Sequence, residues 1–383
     1  MAAVFPLLVV LLSVAPAAAT QQSFAQIAQE AETARAADRV NDAIHLYKEG
    51  VRLRPSWNEG WWWLGGLLYD EDRFPEAQAA FQRFIAIAPK PGPAYAFLGL
   101  CEYETKDYDH ALQHFRAWAR TGWAGTPDLI NVAVFHFALL LTRDSRFVEA
   151  MFLLVNEAGK LRGSPPLIEA MGLASLRMAS LPEDYSPERR EMVWLAGKAA
   201  FYSSLTLPAV EATRSDEYAG RLLLHYGQEP NVHYFLGTLF RFQDKDPEAA
   251  EEFRRELQKS PQHVPAMVEL ARIDLHDSQL PEAVSLATHA AEIEPKNAEA
   301  HHVLGEVFFA TKKFQDCARE LETAKQLAPD SATIRFHLAR TYRKLGRSKE
   351  AEQEMAAFTS LQGKEGVLAP PKEKLRRQPV LPR

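Results

Sequence analysis

His110 and His114 stand four residues apart, and His301 and His302 are adjacent. Two imidazoles four apart project from one face of a helix, a spacing at which they can share a metal ion. No nearby cysteine or carboxylate completes an obvious site, so packed or solvated histidines are expected, with no metal and no other cofactor. Glycine-rich phosphate loops, nucleophile elbows, paired zinc cysteines and calcium loops do not occur. The acidic run Glu248-Ala249-Ala250-Glu251-Glu252 lies beside Arg254 and Arg255 and reads as a solvated helix face with salt bridges. Cys101 and Cys317 are far apart and read as two small buried side chains. Nothing here assembles a catalytic set. The run Trp61-Trp62-Trp63 is different: three consecutive side chains cannot share one helix face, so at least one points away from the local core. An exposed tryptophan is a plausible anchor for a partner.

These residues are positioned by a repeat. Pro55 and Pro89, then Pro261, Pro295 and Pro329, step by 34 residues. Ala43, Ala77 and Ala111, then Ala249, Ala283, Cys317 and Ala351, keep the same step, as do Gly65 and Gly99, then Gly237, Ala271, Gly305 and Ala339. Between Gly99 and Ala138, and between Ala111 and Ala150, the step is 39. Two ladders thus report one five-residue insertion near 119–129. Within residues 58–91, Trp61, Leu64, Leu68 and Tyr69 share a face at helical spacing, with Gly65 where a paired helix must come close. A polar turn at Asp70–Arg73 follows, then a second helix with Ala77 at the crossing, Phe81 and Ile85 on its buried face, and Pro89 as its stop. Two helices of this size cannot bury both faces alone; stacked neighbours can.

The pattern resembles the tetratricopeptide repeat. Trp61, Leu64, Gly65, Ala77, Phe81 and Pro89 match its aromatic, leucine-glycine, alanine, aromatic and proline positions. So do Tyr95, Leu98, Gly99, Ala111 and Phe115, and in the C-terminal half Leu236, Gly237, Ala249, Phe253 and Pro261. Leu304, Gly305, Ala324 and Pro329 match with Cys317 in the alanine slot, and Leu338, Tyr342 and Ala351 match in the last unit. His301 holds the slot of the first-helix aromatic. The resemblance implies an all-α, right-handed superhelical α-solenoid of stacked helix-turn-helix repeats. It also implies an inner groove lined by the first helices, with Trp62, Tyr69, Tyr103, Tyr234, Arg241, Arg272, His302, Arg340 and Arg343 as candidate binding residues. Trp63 would pack against the neighbouring unit, and packing on the first unit is an equal alternative for Trp62. The groove would be aromatic towards the N-terminus and basic towards the C-terminus, which suits an extended or helical segment of acidic character. One subclass of these repeats grips a C-terminal carboxylate with lysine, asparagine and arginine. Here those slots hold Ala28, Glu32, Trp62, Gly66, Ala96 and Leu100, so that clamp is absent from the N-terminal units.

Five segments are expected. Residues 1–19 read as a signal peptide, with an apolar run Val4–Val14 and small residues at Ala17 and Ala19; an uncleaved anchor is the alternative. Residues 20–162 form an N-terminal array and 230–360 a C-terminal one. Residues 163–229 break the pattern, with helices near 166–179, 187–204 and 211–227, an odd number that suggests a kink or hinge. Residues 361–383 carry six basic against two acidic residues and read as a disordered basic tail. The rest of the chain is then at −10 of a total of −6, which disfavours nucleic acid as the main partner. The expected function is a non-catalytic scaffold that binds a protein or peptide in its groove, secreted or periplasmic. A polysaccharide- or small-ligand-binding protein, or an export-assembly protein of the envelope, is the alternative.

Overall fold

The computed structural model describes residues 23–158, 163–204 and 209–362. The expected signal peptide, and the tail beyond the helix that ends at Gln362, lie outside them. The described residues contain nineteen α-helices and no strand, an all-α helical-repeat solenoid. None of the helices is long and apolar enough to cross a membrane.

The chain divides into two compact units at residue 94. The first holds the hairpins α1(Phe24–Ala36)/α2(Val40–Leu53) and α3(Asn58–Asp70)/α4(Phe74–Ile87). The second begins within α5(Gly92–Glu104), which pairs with α6(Tyr108–Arg120). It continues through α7(Pro127–Arg143)/α8(Phe147–Ala158) and α9(Pro165–Ser175)/α10(Arg190–Ser204). A lone helix, α11(Ala209–Tyr226), follows. The last four hairpins are α12(Val232–Phe242)/α13(Asp246–Lys259), α14(Val264–His276)/α15(Leu280–Ile293), α16(Ala298–Ala310)/α17(Phe314–Leu327) and α18(Ala332–Lys344)/α19(Ser348–Gln362).

The glycine ladder has a steric cause. A β-carbon on Gly65 would meet the ring of Phe81 at 2.8 Å, one on Gly99 the ring of Phe115 at 2.8 Å, and one on Gly237 the ring of Phe253 at 2.6 Å. At Gly305 the opposing group is Leu321 at 2.7 Å. In each hairpin a missing side chain on the first helix receives a large one sixteen residues later. The turns carry a ladder of their own. Asp38, Asp72 and Lys106, then Ser145, and Asp244, Ser278, Lys312 and Gly346 all have φ between 56° and 73°. This left-handed residue reverses the chain between the two helices.

Adjacent hairpins are tied where a proline ends the earlier one. Trp61 Nε1 donates to the Pro55 carbonyl at 2.9 Å, His301 Nε2 lies 3.1 Å from the Pro295 carbonyl, and Arg335 donates to that of Pro329 at 3.0 Å. The same slot reaches the second helix of its own hairpin nineteen residues on: His233 to Glu252 at 2.5 Å, His301 to Glu320 at 2.8 Å, and Arg335 to Glu354 at 2.8 Å. Glu252 is therefore buried, not part of a solvated face. So is Glu256, whose carboxylate accepts from the backbone N–H groups of Asn231 and Tyr234 and caps α12. Cys101 and Cys317 are both buried and free.

The insertion occupies the turn between α6 and α7, where Gly122, Trp123 and Gly125 have positive φ and Trp118 Nε1 donates to the Ala124 carbonyl. In the divergent stretch the first helix stops at Ser175, short of the expected 179. The chain turns left-handed at Arg177, and the Met178 N–H closes on the Leu173 carbonyl. Pro187 opens a 3₁₀ turn, Pro187–Arg189, that leads into α10. Helix α10 packs on both α9 and α11, and the buried Ser215 hydroxyl of α11 donates to the Ala199 carbonyl. The α9–α10 crossing is the tightest described: β-carbons on Gly172 and Gly197 would fall 2.0 Å from the Val193 carbonyl oxygen and 1.8 Å from that of Ile168.

Candidate functional site

The first helices of the last four hairpins, α12, α14, α16 and α18, share a continuous polar face. Arg241 stands 3.4 Å from Glu269, and Glu269 is 3.6 Å from Arg272. Arg272 pairs with Glu299, and Glu299 lies 3.6 Å from His302 Nδ1. His302 Nε2 is 3.1 Å from His337 Nδ1, which is 3.2 Å from Glu306. Burial pushes the pKa of His302 down and that of His337 down to about 4, so both imidazoles are neutral near pH 7. Buried His302, half-buried His337 and the Glu306 carboxylate thus converge, a set drawn from two helices. His301 and His302 are both packed: His301 bonds Glu320 and the Pro295 carbonyl, and beside His302 the carboxylate comes from the next turn of α16 and the second imidazole from the next hairpin. The other pair does not act together: His110 bonds Asp107 and His114 bonds the buried Glu102.

Of the nine groove candidates, Arg241, Arg272, His302 and Arg340 fall on this face, and Arg343 stands exposed one turn beyond. The face is less basic than residue types alone suggest, since Glu269, Glu299 and Glu306 interleave with the cations. Arg340 is the exception. Its guanidinium lies over the rings of Phe309 and Phe336, at 4.8 and 5.7 Å, with no carboxylate partner among the described residues. Tyr234 is half-buried against Phe253 and His263, and Arg177 covers its ring at 5.5 Å. Tyr103 packs on Tyr108 and His136; burial, then the nearby carboxylates of Glu183 and Asp184, raise its pKa. The loop after α9 therefore reaches both Tyr103 and Tyr234. In the first unit Trp62 packs on Phe81 and Phe84 of its own hairpin, and Tyr69 lies against Phe74. Trp63 is the exposed member of the run and lies under the Arg35 guanidinium of the neighbouring hairpin at 3.8 Å.

A family model of the tetratricopeptide repeat matches residues 29–92 and 67–126, and one for subunit 3 of the anaphase-promoting complex, or cyclosome, matches 276–357. The chain carries tetratricopeptide repeats. Tetratricopeptide arrays are in general protein-interaction scaffolds, and the fold is typically non-catalytic. No curated protein sequence matches the chain. Similar solved structures include MamA, residue 41 to the end, from Desulfovibrio magneticus RS-1, at 19% identity and TM-score 0.38 over 44% of this chain and 97% of that one. A MamA RS-1 double mutant is 17% identical, with TM-score 0.39 over 45% and 97%. A further MamA structure is 12% identical, with TM-score 0.39 over 46% and 93%.

Proposed function

We propose that this tetratricopeptide-repeat protein is a non-catalytic scaffold of the cell envelope that holds an acidic, extended or helical segment of a partner protein on the first-helix face of its C-terminal repeats. Arg340 carries this reading. Two aromatic rings fix its guanidinium, so little side-chain entropy is lost when a partner carboxylate binds, and among the described residues no carboxylate competes. Exposed Arg343 one turn on adds a second cation. The envelope location rests on the apolar run Val4–Val14 followed by Ala17-Ala18-Ala19.

Two measurements test the proposal. A photocrosslinking residue at position 343 is expected to trap a discrete partner in intact cells, and Arg340→Ala is expected to lower the yield at least tenfold. The same probe at Val148, exposed at the start of α8, should trap none of that partner. Equal yields with and without Arg340 would sink the groove assignment. Separately, the mature chain is expected to begin at Thr20; a purified protein beginning at its first residue would overturn the signal-peptide reading and leave the binding face unaffected.

A further inference from the structure

We propose that His302, Glu306 and His337 form a binding site for a divalent first-row transition-metal ion, Zn(II) foremost, that links the last two repeats. His302 and Glu306 lie one turn apart on α16, and His337 reaches in from α18. Their ligand atoms all lie within 4.8 Å of one another. The edges of the triangle formed by His302 Nε2, His337 Nδ1 and Glu306 Oε1 are 3.1, 3.2 and 3.9 Å. The centre of such a triangle is about 2 Å from each corner, so an ion can take ordinary bond lengths of about 2.0–2.2 Å with the side chains where they stand. In the metal-free protein one proton between the two imidazoles bridges them; an ion would replace it.

The surroundings fit. His302 is 4% exposed, and its other nitrogen faces Glu299, the orientation in which a carboxylate fixes a metal-bound imidazole. Glu306 and His337 also line a cavity of about 90 Å³, room for water at an open coordination position. Arg272 and Arg340 face the cluster as well, but Glu269 and Glu299 offset Arg272, and Arg340 rests on aromatic rings. Two nitrogens and one oxygen favour Zn(II) and its neighbours over calcium or magnesium, which take oxygen sets.

The test uses the untagged full chain, stripped with chelator and titrated with Zn(II), and with Co(II) as a coloured probe. One ion per chain is expected. His337→Ala should weaken binding ~100-fold or more and Glu306→Gln ~10-fold or more, each checked for native helicity without metal. The double variant His110→Ala/His114→Ala should bind as tightly as wild type. Unchanged affinity in His337→Ala or Glu306→Gln, affinity lost in the His110/His114 variant, or no ion bound by the wild type would each overturn the site.

Discussion

Gly197→Ala is expected to destabilise the second unit by about 3 kcal/mol or more, although alanine favours an exposed helix over glycine by about 1 kcal/mol. The new methyl would lie 1.8 Å from the Ile168 carbonyl oxygen and 2.8 Å from its carbon. Both are backbone atoms of α9 and cannot rotate away, so the helices must part. Gly172 faces α10 in the same manner, so parting opens the crossing along its length. The obstacle at Gly65 is softer, since the Phe81 ring at 2.8 Å can tilt, and Gly65→Ala should cost less. Gly220, on α11, is the control: a β-carbon there meets nothing within 4 Å, so alanine should be neutral or stabilising. Urea midpoints followed by helicity decide the matter. If Gly197→Ala unfolds at the Gly220→Ala midpoint, the α9–α10 crossing is not the rigid contact described.

The contrast shows which features were legible in the sequence. Gly65 and Phe81, Gly99 and Phe115, and Gly237 and Phe253 repeat one chemistry, so the contact appears as a ladder of recurring letters, with Leu321 opposite Gly305 as the variant. The left-handed turn repeats just as strictly, yet aspartate, lysine, serine and glycine all fill it, so only the backbone reveals it. Polar pairs are hidden for a different reason. Their spacing is constant while their residue types drift: nineteen residues separate His233 from Glu252, His301 from Glu320 and Arg335 from Glu354. Twenty-eight separate Lys48 from Glu76, Arg116 from Asp144 and Arg241 from Glu269. His337 lies thirty-five beyond His302, one repeat and one residue, which places it beside that histidine on the next first helix. A search for ligands near in the chain misses it; a search at repeat spacing finds it. The charge of the groove is hidden in the same way, because Arg241 and Arg272 meet Glu269 and Glu299 only on the next first helix.

That histidine pair also makes the C-terminal repeats acid-sensitive. His337 titrates near 6.5 in an unfolded chain and at about 4 in the fold, chiefly because burial disfavours its charged form. Glu306 opposes the shift, while His302, Arg340 and Arg272 add to it. Between those values the unfolded chain binds a proton that the folded chain refuses. The stabilisation is therefore complete above pH 6.5 and is lost as the pH falls towards 4. From pH 7 to pH 5 this group alone removes about 2 kcal/mol. His302, also depressed by burial, acts in the same direction, and because the two share a hydrogen bond their protons are refused as a pair. His337→Gln keeps a neutral hydrogen-bonding side chain and removes the titration. With chelator present, its urea midpoint should fall less than that of wild type between pH 7 and pH 5, while carboxylates and the histidines other than His302 contribute equally to both proteins. Parallel pH dependence in the two would mean that the imidazole is already solvated in the fold, and the closed geometry between α16 and α18 would then be wrong.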